Sequence, residues 1–390
     1  MLAVLVLPLL ISVLPTVFAT QGATWYVVAA LPIWSIHDHL LSKHSNSTNH
    51  CSSDSPCCSP YGYCGVQDST FCLGGCNPLS SSTLDSCKPN PVCQNANYSL
   101  SDTSRILSNV TYYNGNASEY DWVLEQGSIL NTTSDGEAAI ALILTEQGGG
   151  TLLSSTRYVH YGRITTRLKT GRWAGVVTAF ITMSSIKDEL DWEFPGNSTT
   201  EGQTNYFWEG VIPTISKGAI ETGFTDTYAH WHDYTIDWQP DSLTFLVDGN
   251  VTRTILAADC VNSATGVTEF PNTPSRIQLS IWPAGIASEP EGTVKWGGGM
   301  IQWNDPDYVS AGHFYALFQS VSVECNDITT AGPGITSYVY GQNSTLDTPS
   351  IAFSNATTLI NGSSPRSSVN VQHIVLGAGA FAIALLARLF

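Results

Sequence analysis

The chain is short of basic residues. Its 390 residues include 15 Lys and Arg against 32 Asp and Glu, and the formal net charge is −17. Nucleic acids and anionic membrane surfaces attract proteins through clustered positive charge, so neither is an expected partner. Only 12% of the residues are charged and 43% are hydrophobic, which is typical of a globular protein with room for about two domains.

Two kinds of chemical motif are also missing. No metal-ligand spacing and no nucleophile elbow is evident. Three histidines, His37, His39 and His44, fall in a segment (20–50) that we assign to no module. A metal site there is conceivable, but isolated histidines in a loose segment are the simpler interpretation. We therefore expect no metal, no cofactor and no protease activity.

The N-terminus is apolar, which predicts a signal peptide over residues 1–19. Val17 and Ala19 suit the −3 and −1 positions of its cleavage site, although the usual positive charge near the start is absent. A membrane anchor is the alternative, and Pro8 and Pro15 argue against it because they interrupt the run.

The C-terminus has the order of a glycolipid-anchor signal. Three small residues, Asn361-Gly362-Ser363, precede a polar spacer and an apolar run from Ile374 to Phe390. The alternative is a single membrane-spanning helix, for which the run is short. We expect Asn361 to carry the anchor, residues 364–390 to be removed, and the mature protein to reach the plasma membrane or cell wall through lipid alone.

Glycosylation signals agree with export. Ten N-x-S/T sequons occur, at Asn46, Asn97, Asn109, Asn116, Asn131, Asn197, Asn250, Asn343, Asn355 and Asn361. An extracellular protein can oxidise its cysteines, of which there are ten. Residues 329–363 are dominated by Ser, Thr, Asn, Gly and Pro, and we expect a glycosylated, disordered stalk there.

One segment carries the strongest chemical signal. Charged and apolar residues alternate from Glu189 to Phe194, which predicts a half-buried β-strand with Leu190, Trp192 and Phe194 toward a core. The other face then holds three carboxylates: Glu189, Asp191 and Glu193. Two glutamates four residues apart on a strand can lean together to a carboxyl separation of about 5 Å, the spacing of a retaining glycosidase. An acidic stripe is also typical of a solvated sheet face, but the surrounding pattern favours a site.

The surrounding segments alternate in the same way. They include Gly175 to Met183, His232 to Trp238, Leu243 to Val247 with a hairpin signal at Asp248-Gly249, and Ile277 to Trp282. Such runs at regular spacing predict an all-β, two-sheet sandwich.

The order of these motifs, from Asp188 to Phe194 through Asn205-Tyr206-Phe207 and Ile281-Trp282 to the run Gly292 to Gly299, resembles glycoside hydrolase family sixteen. The resemblance covers about Cys76 to Cys325. It is closest to the fungal wall-remodelling branch, the Crh/Utr-type transglycosylases, which join chitin to β-glucan. It implies a concanavalin-like β-jelly-roll for residues 77–328, a chitin donor and a β-glucan acceptor.

The resemblance also implies roles for individual residues. Glu189 corresponds to the nucleophile and Glu193 to the general acid/base, with Asp191 between them orienting Glu189. Three neighbouring carboxylates cannot all ionise cheaply, so one pKa must rise, and that group can donate a proton. Sugar contacts are expected from Gln278, Trp282 and Thr293, in addition to Glu193; for all three, an ordinary structural role is the alternative.

Residues 51–76 hold a cysteine-rich motif, Cys57-Cys58-Ser59-Pro60-Tyr61-Gly62-Tyr63-Cys64-Gly65 followed by Phe71-Cys72. It resembles the hevein-type chitin-binding module, which implies sugar contacts from Ser59, Tyr61, Tyr63 and Phe71. A simple disulfide knot is the alternative. We expect this module to bind chitin without the catalytic domain, and the catalytic domain to act on soluble oligomers without the module.

The cysteines allow pairing predictions. The module resemblance implies the bridges Cys51–Cys64 and Cys57–Cys72, but its usual first cysteine is missing, which leaves Cys58 without its customary partner; Cys93 is one candidate. Cys76 and Cys87 are expected to close a short loop. Cys260 and Cys325, the only cysteines in the body of the catalytic domain, are expected to pair.

The leading prediction is an extracellular transglycosylase that passes a chitin segment from Glu189 to β-glucan. A plain endo-hydrolase of chitin or β-glucan would use the same residues. A non-catalytic chitin-binding wall protein is the third interpretation, against which the intact carboxylate motif argues.

Overall fold

The computed structural model describes residues 50–66, 70–326, 332–345 and 347–360. Outside the described residues lie the signal peptide, the segment 20–49, Asn361 and the anchor propeptide, so the expectations for them stay predictions. Within the described ranges, no helix has the length and apolar character needed to span a bilayer.

Strands dominate the described part of the chain. The first ten are β1 (Cys57–Cys58), β2 (Cys64–Gly65), β3 (Asn90–Pro91), β4 (Ala96–Ser99), β5 (Ile106–Leu107), β6 (Trp122–Gln126), β7 (Ile129–Ser134), β8 (Glu137–Leu144), β9 (Thr151–Val159) and β10 (Gly162–Lys169). The remainder are β11 (Val176–Ser184), β12 (Glu189–Pro195), β13 (Glu201–Phe207), β14 (Ala219–Thr222), β15 (His232–Trp238), β16 (Ser242–Val247), β17 (Asn250–Leu256), β18 (Ser275–Pro283), β19 (Phe314–Cys325), β20 (Ser337–Tyr340) and β21 (Ile351–Ser354).

Helices are few and short. The α-helices are α1 (Glu291–Trp296) and α2 (Pro306–Ala311), and the 3-10 helices are Leu84–Ser86, Thr103–Arg105, Val110–Tyr112 and Ala257–Cys260. Helix α2 has the expected ends: Asp305 caps its first turn by accepting from the Asp307 N–H, and Gly312 closes it with φ of 76°.

Two eight-stranded sheets form the body of the molecule. The first, which we call the cleft sheet, has the order β14-β13-β12-β11-β18-β9-β6-β5. The second, the back sheet, runs β17-β16-β15-β10-β19-β8-β7, with β4 added on β19. Residues from both sheets form one buried hydrophobic cluster, so the architecture is the predicted all-β jelly-roll sandwich.

The carboxylate segment is strand β12, and its apolar side chains enter the core as predicted. Leu190, Trp192 and Phe194 are at most 1% exposed. Trp192 packs edge-on against Tyr234 of the back sheet, with ring centroids 5.4 Å apart. Its indole N–H donates to the carbonyl of Thr235 at 3.1 Å. This anchoring across the core fixes β12 with its acidic side chains on the opposite face.

The neighbouring strand predictions are also confirmed. The segment His232 to Trp238 is β15, and the turn at Asp248-Gly249 has φ of 51° and 80°, as a two-residue hairpin turn with two left-handed positions requires. In β18, Ile277, Leu279 and Ile281 are at most 2% exposed, so Gln278, Ser280 and Trp282 lie on the other face.

Three disulfides hold the cysteine-rich module and its exit. They are Cys51–Cys64, Cys57–Cys72 and Cys76–Cys87, the pairs that were expected. Strands β1 and β2 form a minimal hairpin between them. Cys58 is buried and takes part in none of the disulfides of the described residues.

The predicted Cys260–Cys325 bridge is wrong. Cys325 pairs with Cys93 across a Cα–Cα distance of 6.0 Å, which also removes Cys93 as a partner for Cys58. The cause is β4: it pairs with β19 and brings the preceding Cys93 beside the end of that strand. Cys260 follows β17, four strands away from β19 in the back sheet, and is a buried free thiol 3.2 Å from the Tyr206 hydroxyl.

The expectation of disorder in the Ser/Thr-rich segment is wrong for its described part. Strand β20 pairs with β21 and with β3, which forms a separate three-stranded sheet. Tyr338 in β20 is 2% exposed, and the Ile360 N–H donates to the carbonyl of Asn114 at 3.0 Å. Much of the predicted stalk therefore packs on the body of the protein.

Candidate active site

A buried carboxylate, Asp188, fixes the turn that enters strand β12. Asp188 is 1% exposed and accepts from the backbone N–H groups of Glu209, Asn272 and Thr273 at 2.9, 2.9 and 3.0 Å. The Thr273 hydroxyl donates to it as well, at 2.6 Å. Asp188 thus ties β12 to the loops after β13 and before β18, and it serves the structure rather than the chemistry.

Strand register places the three carboxylates in successive rows of the cleft sheet. On the adjacent strand β11 they lie opposite Met183, Ile181 and Ala179, in that order. On β18, one strand further, the same rows hold Arg276, Gln278 and Ser280. Because alternate residues of a strand share a face, these side chains lie on one surface of the sheet.

That surface is the floor of a cleft of about 1120 Å³, including space open to solvent. The predicted residues that line it are Tyr61, Glu189, Asp191, Glu193, Gln278 and Trp282. The cleft also exposes Glu125, Lys187, Arg276 and Phe207. The structure therefore brings the predicted carboxylates together with two of the three predicted sugar contacts.

The carboxyl groups titrate as a coupled set. Burial raises the pKa of Glu193 to about 8, and the charge of Glu189 adds to this. Burial also raises the pKa of Glu189 to about 7, while the nearby Lys187 ammonium and a hydrogen bond with Asp191 act in the opposite direction. The pKa of Asp191 is raised well above its usual value, by burial and then by the charges of both glutamates.

These pKa shifts favour different protonation states for the three carboxyl groups. Burial and the charges of both glutamates favour the protonated form of Asp191, whereas the hydrogen bond with Asp191 and the charge of Lys187 favour the ionised form of Glu189. Glu193 retains a proton that it can donate. One ionised and one protonated carboxyl on the same strand face are the pair that a double displacement at an acetal carbon requires.

Aromatic rings flank the carboxylates on the Glu193 side. Trp282 and Trp296 stack with ring centroids 5.7 Å apart and an interplanar angle of 19°. The Trp296 indole donates to Gln203 Oε1 at 2.8 Å, and Gln203 lies opposite Glu193 on β13. Such a platform can stack on the apolar face of a sugar ring.

The other predicted sugar contacts differ in their placement. Gln278 lines the cleft and donates to Ser154 Oγ at 3.1 Å. Thr293 lies in α1, is 2% exposed, and its hydroxyl has no hydrogen-bond partner among the described residues. Its sugar contact stays a prediction, for which an unpartnered buried hydroxyl is suitable.

The four predicted sugar contacts of the module do not share one environment. Tyr61 lines the carboxylate cleft, whereas Tyr63 is 39% exposed. Ser59 is buried, and its hydroxyl accepts from the Tyr63 N–H at 3.2 Å. Phe71 is half-buried against Gly65, where an added Cβ would lie 2.3 Å from its ring.

Sequence reasoning missed four residues of the site: Glu125, Lys187, Arg276 and Trp296. Lys187 stands directly before the acidic motif, so a cation beside a predicted carboxylate cluster was a usable signal. It adopts a left-handed φ of 78°, which is uncommon for lysine and belongs to the tight turn before β12. Glu125 and Arg276 come from distant strands, and no local pattern connects them.

Comparisons with known proteins agree with this geometry. The sequence profile described as Glycosyl hydrolases family 16 matches residues 116–298. Crh-like protein 3 of Botryotinia fuckeliana (strain B05.10) is 42% identical over 314 residues, which are 80% of this chain and 68% of that protein. Crh-like protein 2 of Aspergillus fumigatus is 41% identical over 315 residues, 80% of this chain and 69% of that protein.

A solved structure agrees as well. The complex described as Crh5 transglycosylase with NAG is 28% identical, with a TM-score of 0.55. The alignment covers 72% of this chain and all of the solved chain.

Proposed function

The chain belongs to glycosyl hydrolase family 16, and on that premise we propose that it cleaves chitin by a retaining double displacement and transfers the released segment to β-glucan. Family membership makes it an enzyme that acts on polysaccharide. One observation carries the finer proposal: Glu189, Asp191 and Glu193 share one face of β12 in the cleft, and burial raises the pKa of all three.

In the first step, the Glu193 carboxyl protonates the glycosidic oxygen of the bound chain while the Glu189 carboxylate attacks the anomeric carbon. The bond to the leaving oxygen breaks, and a covalent ester forms on Glu189. The Lys187 ammonium and the Asp191 hydrogen bond support this assignment because they favour the ionised form of Glu189.

In the second step, Glu193 is ionised and accepts the proton of an incoming hydroxyl, whose oxygen displaces Glu189 from the anomeric carbon. A glucan hydroxyl in this position gives transfer, and water gives hydrolysis. Two inversions restore the original configuration, so the new linkage keeps the anomeric form of the donor.

Sugar contacts in this scheme come from residues in and beside the cleft. Trp282 and Gln278 line it, and Trp296 stacks on Trp282. Thr293 is buried in α1, and its unpartnered hydroxyl is the basis of the sugar contact proposed for it. N-acetylglucosamine, written NAG, is the ligand in the description of the related Crh5 structure. It supports chitin, a polymer of that sugar, as the donor.

An extracellular, wall-associated location is part of the proposal. The described residues contain four disulfides, which suit an oxidising compartment. Among the sequons that the structure describes, only Asn116 is half-buried; the others are exposed, at Asn97, Asn109, Asn131, Asn197, Asn250, Asn343 and Asn355. In that setting, transfer from chitin to glucan would crosslink a fungal wall.

Product analysis tests the proposal. The purified protein is incubated with labelled chito-oligosaccharides, with and without β-glucan oligosaccharides, and the products are weighed by mass spectrometry. We expect hybrid oligosaccharides that appear only when the glucan acceptor is present. Shortened chito-oligosaccharides alone would make the protein a hydrolase, and unchanged substrates in both mixtures would contradict the chitin donor.

A further inference from the structure

The cysteine-rich module, residues 51–76, forms part of the wall of the carboxylate cleft. Pro60, Tyr61 and Gly75 of the module line the same space as Glu189 and Glu193. The sequence predicts a binding module that functions without the catalytic domain, and such a unit needs no fixed position relative to Glu189 and Glu193. Contacts with the body of the protein nevertheless give this module a fixed position.

Polar contacts dock the module on the cleft sheet. The Gly75 N–H donates to the hydroxyl of Tyr158 in β9 at 2.8 Å, and Tyr158 is 2% exposed. The Arg276 guanidinium reaches the backbone of the module, because a Cβ added to Gly74 would lie 2.6 Å from its Nη1. Arg276 is held in turn by a buried ion pair with Glu125 at 2.6 Å.

Apolar packing and covalent links complete the attachment. Leu73 is 6% exposed and belongs to one buried cluster with Leu107, Tyr113 and Val123 of the body. The segment that leaves the module is closed by the Cys76–Cys87 disulfide, and the Lys88 N–H donates to the carbonyl of Cys72 at 2.8 Å. The module is therefore a fixed element of the protein.

This attachment places Tyr61 on the side of the carboxylates away from the tryptophan platform. Arg276, with which Tyr61 interacts electrostatically, shares a row of the cleft sheet with Glu189. Arg276 on β18 and Glu189 on β12 are two strands apart, which is about 10 Å. Trp282 lies opposite Val177, beyond the row of Glu193. A carbohydrate chain bound across the carboxylates thus has an aromatic ring available on either side.

We propose that Tyr61 is a substrate-binding residue of the catalytic cleft, where its ring stacks on a sugar ring of the chain that Glu189 and Glu193 cleave. The module then extends the cleft by one wall instead of collecting insoluble polymer for a separate enzyme. This role for Tyr61 rests on the proposed function, since stacking matters only if the cleft binds carbohydrate.

The test uses the full chain and a series of soluble chito-oligosaccharides from the disaccharide to the hexasaccharide. We expect Tyr61→Ala to lower kcat/KM about tenfold for oligomers long enough to reach the module, because one stacking contact is lost. The shortest active oligomer does not reach Tyr61 in the wild type, so its turnover should be the same in wild type and Tyr61→Ala. Tyr61→Phe keeps the ring and stays within about twofold of wild type at every length.

Tyr112→Ala is the matched control, since Tyr112 is 59% exposed and does not line the cleft. A second measurement is the affinity of long oligomers for Glu189→Gln with and without Tyr61→Ala, which isolates binding from turnover. Equal kcat/KM for wild type and Tyr61→Ala at all lengths would overturn the inference. So would a loss shared by the shortest oligomer, or a gain in turnover, which would show that the module obstructs the cleft.

The two proposals fail in different ways. A wild-type protein without activity on any soluble oligomer contradicts the proposed function. An active wild type that is indifferent to Tyr61 contradicts only the role of the module.

Discussion

The indole N–H of Trp296 donates to Oε1 of Gln203 at 2.8 Å. Gln203 lies directly opposite Glu193 in the pairing of β13 with β12. The Trp296 ring stacks on Trp282 at a centroid distance of 5.7 Å. The proposed sugar platform is therefore positioned, through one amide side chain, relative to the proposed acid/base.

Removing this amide should loosen the platform without touching the carboxylates. We expect Gln203→Leu to raise KM about fivefold while kcat changes less, since one hydrogen bond contributes about 1 kcal/mol. Steady-state kinetics with a soluble donor measure the effect. Gln302→Leu is the control, because Gln302 is exposed and outside the cleft. An unchanged KM in Gln203→Leu would show that the hydrogen bond does not position the platform.

The pH profile should depend on Lys187. In the proposed mechanism Glu193 acts when protonated, so its raised pKa predicts that kcat/KM falls as the pH rises through about 8. Glu189 is proposed to act when ionised, and Lys187 lowers its pKa. Lys187→Met removes the positive charge at similar length, so the acidic limb of the profile should move to higher pH.

The comparison is made on full profiles of kcat/KM against pH. Lys217→Met serves as the control, since Lys217 pairs with Glu269 at 3.7 Å and does not line the cleft. An acidic limb at the same pH in wild type and Lys187→Met would mean that Lys187 does not tune the nucleophile.

The raised pKa of Glu193 also predicts that the free energy of unfolding of the wild type falls as the pH rises. An unperturbed glutamate has a pKa of 4.5, whereas Glu193 in the folded protein has a pKa of about 8, so the folded state holds the extra proton between these values. The stability that this proton contributes is fully present below the lower pKa and is lost as the pH rises through the higher one. Glu193→Gln keeps the neutral form, so its melting temperature relative to wild type should increase from pH ~5 to pH ~8.

Glu324→Gln, on the exposed face of β19, gives the background of a charge-removing change in the same measurement. If the difference in melting temperature between Glu193→Gln and wild type stayed constant across this pH range, the pKa of Glu193 would not be raised in the folded protein.

Strand β12 was accessible to sequence reasoning because its pattern is encoded locally. Alternation over Glu189 to Phe194 dictates which side chains enter the core, and a strand has only two faces. The same reasoning placed Gln278 and Trp282 on the face opposite Ile277, Leu279 and Ile281, and in the structure that face lines the cleft.

What sequence reasoning missed depends on contacts between distant segments. Tyr61 reaches the cleft because Leu73 and Gly75 dock on strands β6 and β9, which no motif announces. Order in the Ser/Thr-rich segment comes from the pairing of β20 with β3, about which the composition of that segment says nothing. Composition predicts whether a segment folds in isolation, whereas these segments are ordered by contacts with distant parts of the same chain.

The Cys93–Cys325 disulfide should make a large contribution to the free energy of unfolding. It closes a loop with a sequence separation of 232 residues, and long loops lose the most chain entropy on crosslinking. We expect Cys93→Ser/Cys325→Ser to lose roughly 2–5 kcal/mol of the free energy of unfolding, measured in denaturant.

Cys260→Ser should have little effect on activity, and non-reducing peptide mapping should recover Cys260 as a free thiol. A Cys260–Cys325 peptide would contradict the structure.

The most direct test of the central claim compares wild type with Glu189→Gln, Glu193→Gln and the control Glu324→Gln in the transfer assay. Hybrid chitin–glucan oligosaccharides are quantified by mass spectrometry, and folding is checked by thermal melting. A neutral amide keeps the shape of a carboxyl but neither attacks nor protonates, so both catalytic variants should form less than about a tenth of the wild-type product while the control matches wild type. A folded Glu189→Gln or Glu193→Gln variant that keeps more than about a tenth of the transfer rate would contradict the double displacement proposed for this cleft.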